Sequence, residues 1–430
     1  MSSITQIEQS LSTGSVARAE QQCLACLATD PENPELLTLL ALCEEANNLT
    51  EQAVARLQNV CRRYPESARA HFHAGRLALA RGELQAAETA LSKVVSLEPN
   101  HAPSRHLLAR MALQSGCLEA AIDGCKTALK ADPGYLPAHC DLALAYLEAE
   151  RLADAMDAAT HALKLSRDSA EAHLVMGSVL LAQNEPLKAG EHLTRATDLD
   201  PDSSQGLLLL AKSYQRMHQH LQALTALDRL SGVDKERVEA RKARAVSLTQ
   251  LGQTRLAQEL WEGVVGQVLD VDAVLQLMEI HIHHQDTEAL SALHKRLSDH
   301  DQTESDLTRL VAAVHCAMDH QSAVAGPMFQ ALLDSPMDSV ALRAALWSAR
   351  LYLADNEPQK AIVALQQVSE ACFAQPGVSL QIAQLAEQAG DVGFSLQCVE
   401  RALALNFLPE DLENALTAQR DRLQSQQPAK

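Results

Sequence analysis

Small, apolar and turn-forming residues recur along this chain with a single period. Ala19, Ala53, Ala87, Ala121, Ala155, Ala189, Ala223 and Ala257 form a series at intervals of 34 residues. The series continues through Ser291 to Ala325, slips by two residues to Ala361 and resumes at Ser395. Twelve residues before each of these positions from Ala53 onward lies a second slot, mostly small: Ala41, Gly75, Ala109, Ala143, Gly177, Ala211 and Ala245, then Glu279, Ala313, Ala349 and Ala383. Four and seven residues after the alanine, apolar side chains return, as in Leu57 and Val60, Leu91 and Val94, or Trp261 and Val264. That spacing marks one face of a helix. Two small residues per unit, one on each of two helices, let the helix axes approach closely.

Between the two small positions sits a residue suited to a left-handed backbone. The series reads Gly14, Asn48, Gly82, Gly116, Glu150, Asn184, His218, Gly252, Asp286, His320, Asn356, Gly390. Such a residue ends a helix without steric cost. Pro31, Pro65, Pro99, Pro133 and Pro201 then open the next connection. Each unit is expected to be helix, tight turn, helix.

The period, the paired small residues and the late proline resemble the tetratricopeptide repeat, most clearly in "LEPNHAPSRHLLARMALQSGCLEAAIDGCKTALKADPGY". The resemblance spans nearly the whole chain, about twelve units. It implies an all-α fold, a right-handed α-solenoid. Leu408, Leu412 and Leu416 predict a polar-backed C-terminal capping helix, which a solenoid needs. From about Gln424 the tail is expected to be disordered. The regular array is expected over 1–271 as eight antiparallel helix pairs, a degenerate junction over 272–341, and further repeats with the cap over 342–430. In the junction Glu279 occupies a small-residue slot, Ser291 replaces the alanine, and Lys295 and Ser298 fall on apolar slots. Either the helices shift there or the array opens.

Composition agrees with a helical array. Apolar residues make up 47% and aromatics only 3%, and the apolar mass is largely Ala and Leu, both strong helix formers. The net charge of −19 repels phosphate backbones, which disfavours nucleic acid as a partner. No stretch approaches the 18 or so apolar residues of a membrane span, and the polar start "MSSITQIEQSLST" has no signal-peptide core. The cytoplasm is the expected location.

Chemistry-bearing residues mostly fall on packing slots. Cys23-Leu24-Ala25-Cys26 has the spacing of a redox pair or half a zinc site. Its cysteines occupy the slots of Leu57 and Val60, so packing is the expected role, and the same holds for Cys125. His71, His139 and His173 share one slot on the first helix and are also read as packing. The cluster at His281, His283 and His284 offers only Glu279 and His283 at a chelating i, i+4 spacing, and is read as a polar face. No phosphate loop, nucleophile elbow or H-E-x-x-H appears, and no insert is long enough for an active site. Neither an enzyme nor a cofactor or metal is expected.

In tetratricopeptide-repeat proteins the first helix of each unit lines a concave groove that holds a protein segment. The resemblance places Phe72, Arg76, His106, Arg110 and Leu174 on that surface, with Lys212, Arg216 and Lys242 further along. Arg76, His106 and Arg110 form one basic spot. Lys212, Arg216 and Lys242 form a second, with Arg241 and Arg244 close by. In an acidic chain these spots fit the carboxylates of an acidic or C-terminal peptide. The competing expectation is salt bridging with neighbours, such as Asp141 with Arg110. The carboxylate clamp and the asparagine ladder of specialised relatives do not carry over, since Thr38, Leu42 and Phe72, and His73, Leu107 and Asp141, hold their slots. The leading expectation is a non-catalytic, bacterial-style adaptor. The alternatives are a self-associating assembly protein, with the chain as a homo-oligomer, and a regulatory or targeting subunit of an enzyme complex.

Overall fold

The computed structural model describes residues 3–300, 305–368, 373, 376–405, 408 and 410–426. Among these it is all helical. The chain forms two compact units, Met1–Leu209 and Leu210–Lys430, whose boundary falls inside one helix, α13.

The first unit pairs α1 (Ser3–Ser12) with α2 (Val16–Leu27), α3 (Pro34–Ala46) with α4 (Thr50–Arg63), and α5 (Ala68–Ala80) with α6 (Leu84–Leu97). It continues with α7 (Ala102–Gln114) and α8 (Leu118–Ala131), α9 (Leu136–Glu148) and α10 (Leu152–Leu165), and α11 (Ala170–Ala182) and α12 (Pro186–Leu199). Helix α13 (Ser204–Arg216) is followed by α14 (His220–Asp228) and the one-turn α15 (Gly232–Lys235). The second unit goes on with α16 (Val238–Gln250) and α17 (Thr254–Gln267), α18 (Val271–His283) and α19 (Thr287–His300), and α20 (Asp306–Met318) and α21 (Ser322–Leu332). Next come α22 (Asp338–Ala354) with α23 (Pro358–Gln366), α24 (Pro376–Gln388) with α25 (Val392–Leu403), and α26 (Glu410–Gln426). Eight helix–turn–helix segments precede residue 271, and each unit is an α-solenoid of stacked helix pairs.

The periodic alanines explain the pairing. Ala19, Ala53, Ala87, Ala121, Ala155, Ala189, Ala223 and Ala257 are all completely buried, at the point where the helices of a pair cross. Gly177 shows how tight the crossing is: a Cβ there would sit 2.5 Å from the Leu193 side chain. Each first helix ends on a residue with positive φ, and eleven of the twelve residues expected in that role hold it, from Gly14 to Gly390.

The exception is instructive. At α18–α19 the positive φ belongs to Gln285 (54°), not Asp286. Asp286 instead caps α19, its Oδ1 accepting from the Ala289 N–H at 2.9 Å. The cause lies upstream. Linkers 64–67, 98–101, 132–135 and 166–169 have four residues, whereas 268–270 has three. The whole pair therefore shifts by one residue. Met278 and Leu290 fill the small-residue slots, at 1% and 0% exposure, while Glu279, Ser291 and Lys295 face outward and Ser298 is half-buried. The register returns at His320, where φ is again positive. Of the two alternatives left open for this unit, the helices shift, and the shift puts apolar residues in the core slots. The span 272–341 lies inside the second unit, and Leu275, Leu297, Val311 and Phe329 share one apolar core with Ala345 and Ile382.

Helix α26 closes the second unit. Leu416 and Leu423 are fully buried, with Leu408 and Leu412 packed against the same core. The helix runs to Gln426, past the expected start of disorder, and 427–430 lie outside the described residues.

Candidate functional site

The first helices of the first unit carry the residues expected to meet a partner, and the structure sorts them by availability. Phe72 on α5 is half-buried, its ring edge-on to His101 with centroids 5.0 Å apart. Leu174 on α11 is also half-buried. Arg76 is bound to Glu45 of α3. Arg110 on α7 is exposed and makes no ion pair within 4.0 Å among the described residues.

His106 departs from expectation. It is only 3% exposed, so a partner cannot touch it. Its Nε2 lies 2.7 Å from Asp141 Oδ2 on α9, and its ring meets Tyr135 edge-on at 5.4 Å. Asp141 was expected to face Arg110; His106, one turn earlier, takes it instead. A buried carboxylate needs a partner, and His106 supplies one that is itself out of water.

Glu171 at the start of α11 completes this patch, and sequence reasoning missed it. Solvent reaches it, yet desolvation by surrounding protein, and then Asp141, raise its pKa above the ordinary carboxylate range, while Arg110 and His106 pull it back. An acid with a raised folded pKa stabilises the fold below its unfolded pKa, and that contribution is lost as pH rises through the folded value. Glu171→Gln should therefore melt above the parent at about pH 7 and together with it at about pH 3.5. Thermal circular dichroism at both pH values checks this; no gain at neutral pH would contradict it.

The second unit neutralises its own cations. Lys242 on α16 pairs with Asp270 at 2.6 Å, with Asp272 at 3.9 Å. Desolvation disfavours the Asp270 charge, but Lys242 and the Ala273 N–H outweigh it and hold its pKa below the ordinary value. Asp270 is also the N-cap of α18, so Lys242 ties α16 to the next first helix. Arg241 pairs with Glu236, and Arg244 with Asp228. Lys212 and Arg216 are exposed on α13. Of the second basic spot, Lys242 already has its carboxylates.

The shared histidine slot has a structural use. The Nε2 of His71, His139 and His173 approaches the carbonyl oxygen six residues earlier, at 3.2, 3.0 and 3.0 Å. Arg105, in the same slot, donates to the Pro99 carbonyl at 2.7 Å. Each ties a linker to the helix that follows it. The cysteines behave as packing residues. Cys23 is fully buried, Cys26 is not, and the thiol hydrogen-bonded to that of Cys23 belongs to Cys43, both cysteines being free. Burial pushes Cys125 up to about 12, so it stays a thiol.

The first unit also carries two apolar clefts that no single residue announces. One, of about 610 Å³, lies between α4 and α6 and is lined by Val54, Leu57 and Ala90. The other, of about 630 Å³, lies between α6 and α8 and is lined by Glu88 and Gly124, 34 residues on from Val54 and Ala90. They are one repeat-equivalent groove, open where the second helix carries Ala or Gly.

The family profile of the tetratricopeptide repeat matches residues 45–102, 74–135 and 140–204. Residues 45–135 and 140–204 of this chain are tetratricopeptide repeats. No curated protein matches its sequence. Among solved structures it is similar to PilF of Pseudomonas aeruginosa, at 19% identity and a TM-score of 0.43, over 50% of this chain and 98% of that one. It is similar to a tetratricopeptide-repeat protein of Parabacteroides merdae, at 13% identity and 0.42, over 67% and 99%. YrrB, described as having an unusual peptide-binding site, is 16% identical at 0.35, over 43% and 95%. No helix among the described residues of this chain is long and apolar enough to cross a membrane.

Proposed function

We propose that the protein is a non-catalytic adaptor that holds a segment of a partner protein against the first helices of its first unit. The tetratricopeptide fold is in general a protein-interaction fold, and its stacked repeats create extended binding surfaces. The observation that carries the reading is the face built on α5, α7, α9 and α11. It combines half-buried apolar Phe72 and Leu174 with exposed Arg110 and a carboxylate, Glu171, held in a partly desolvated setting. Buried His106 and Asp141 and the bound Arg76 shape this face. Arg110 is the cation left for a partner carboxylate, and Glu171 suits a partner cation close by.

Charge reversal tests this. Capture from cell extract with the full chain, read by quantitative mass spectrometry, should return a partner whose yield falls at least tenfold with Arg110→Glu. Tenfold corresponds to about 1.4 kcal/mol. Captured material should also elute earlier as salt rises. Stability should hardly change, since an exposed charge contributes little. Undiminished capture by the variant would place the working surface elsewhere.

A further inference from the structure

The helices α11 and α12 cross closely, because Gly177 lets the Leu193 side chain into the space a Cβ would occupy. One turn before Gly177 stands His173, and next to Leu193 stands His192. Their Nδ1 atoms face one another at 3.0 Å, with ring centroids 5.2 Å apart. Both rings are half-buried and reachable from solvent. The equivalent of His192 in the three preceding units is Ala90, Gly124 and Ala158, so this pair occurs once in the repeated groove.

We propose that His173 and His192 form a two-histidine site for a divalent transition-metal ion. The hydrogen bonding of His173 prepares it as a ligand. Its Nε2–H donates to the Arg167 carbonyl at 3.0 Å, which fixes the ring orientation and leaves the lone pair on Nδ1. A backbone carbonyl on the remote ring nitrogen is the usual support of a metal-binding histidine. The separation fits. Nitrogens about 2.0–2.1 Å from one ion lie roughly 2.9 Å apart at right angles and roughly 3.4 Å apart in a tetrahedron. The observed 3.0 Å favours the right-angled geometry of nickel or copper, which imidazole suits. Without metal, one Nδ1 must carry a proton and donate it to the other. Neighbouring Glu191 adds a negative charge beside the ion. Among the described residues no group of three or more His, Cys, Asp and Glu could hold a metal, so water completes the coordination.

Not every histidine contact would serve. His139 and His161 stack face to face, with centroids 5.8 Å apart and planes 20° apart, and so present no converging nitrogens.

The test is isothermal titration of the full, reduced chain with Ni²⁺ at about pH 7.5 in metal-free buffer. One saturable equivalent is expected. His192→Ala and His192→Gln should each weaken it at least tenfold, while His161→Ala should leave it unchanged. Binding should weaken at about pH 5.5, because protons compete for the imidazoles. A sulfur-to-metal charge-transfer band should be absent. Circular dichroism confirms that each variant is folded, and the glutamine variant keeps the size of the side chain. No saturable equivalent in the parent, equal binding by the folded His192 variants, or loss with His161→Ala would each overturn the site.

Discussion

Leu290→Ala destabilises the second unit by about 2–5 kcal/mol, the usual cost of emptying a core leucine, whereas Ser291→Ala changes stability by less than about 0.5 kcal/mol. The repeat period by itself predicts the reverse, since it places residue 291 at the helix crossing. The structure puts Leu290 there at 0% exposure, with Leu293 and Leu297 on the same stripe. Urea unfolding of the two variants, followed by hydrogen exchange across α18 and α19, checks the register. Array stability is approximately a sum of unit and neighbour terms, so the loss should be concentrated in this pair and those beside it. Equal effects of the two substitutions would contradict the one-residue shift.

Removing the carboxylate of Asp141 has the second large effect. Asp141→Ala leaves His106, 3% exposed, without its one hydrogen-bond partner, because its Nδ1 already has none. A lost bond to a charged group in a buried site costs about 1.5–3 kcal/mol. Asp141→Asn, which keeps an acceptor oxygen, should recover much of this. The double variant His106→Phe, Asp141→Leu should lie closer to the parent than Asp141→Ala, since removing both partners leaves nothing unsatisfied. If the double variant loses as much as the sum of its parts, the pair is not the unit described here.

The fold was legible because its two strictest requirements are written in single residues. A helix crossing without room for a side chain demands Ala or Gly, and a left-handed turn favours Gly, Asn or His. These marks repeat at the period of the unit. Linker length leaves no such mark. Nothing in Val268, Leu269 and Asp270 announces that the connection is one residue short, so the grid ran past Leu290 to Ser291. The signal that could have found it is the apolar spacing of Leu290, Leu293 and Leu297, with Asp286 placed to cap the helix.

The candidate face was legible in its slots and not in its pairings. Register brings Asp141 near both His106 and Arg110, but helix rotation and burial decide which one takes the bond. Similarly, Lys242 and Asp270 are 28 residues apart, on a first helix and the cap of the next first helix. The shortened linker that sets the position of Asp270 is the feature the sequence conceals. Glu171 became visible only once Asp141 was known to be buried beside it.

Site-directed photo-crosslinking tests the adaptor reading most directly. A benzoylphenylalanine introduced singly at Phe72 or Leu174 reports on the first-helix face, and one at Leu187, 58% exposed at the start of α12, reports on a second helix. Adducts to one and the same partner protein from Phe72 and Leu174, with none from Leu187, are the predicted result. Adducts from Leu187 alone would contradict the account and move the working surface to the second helices.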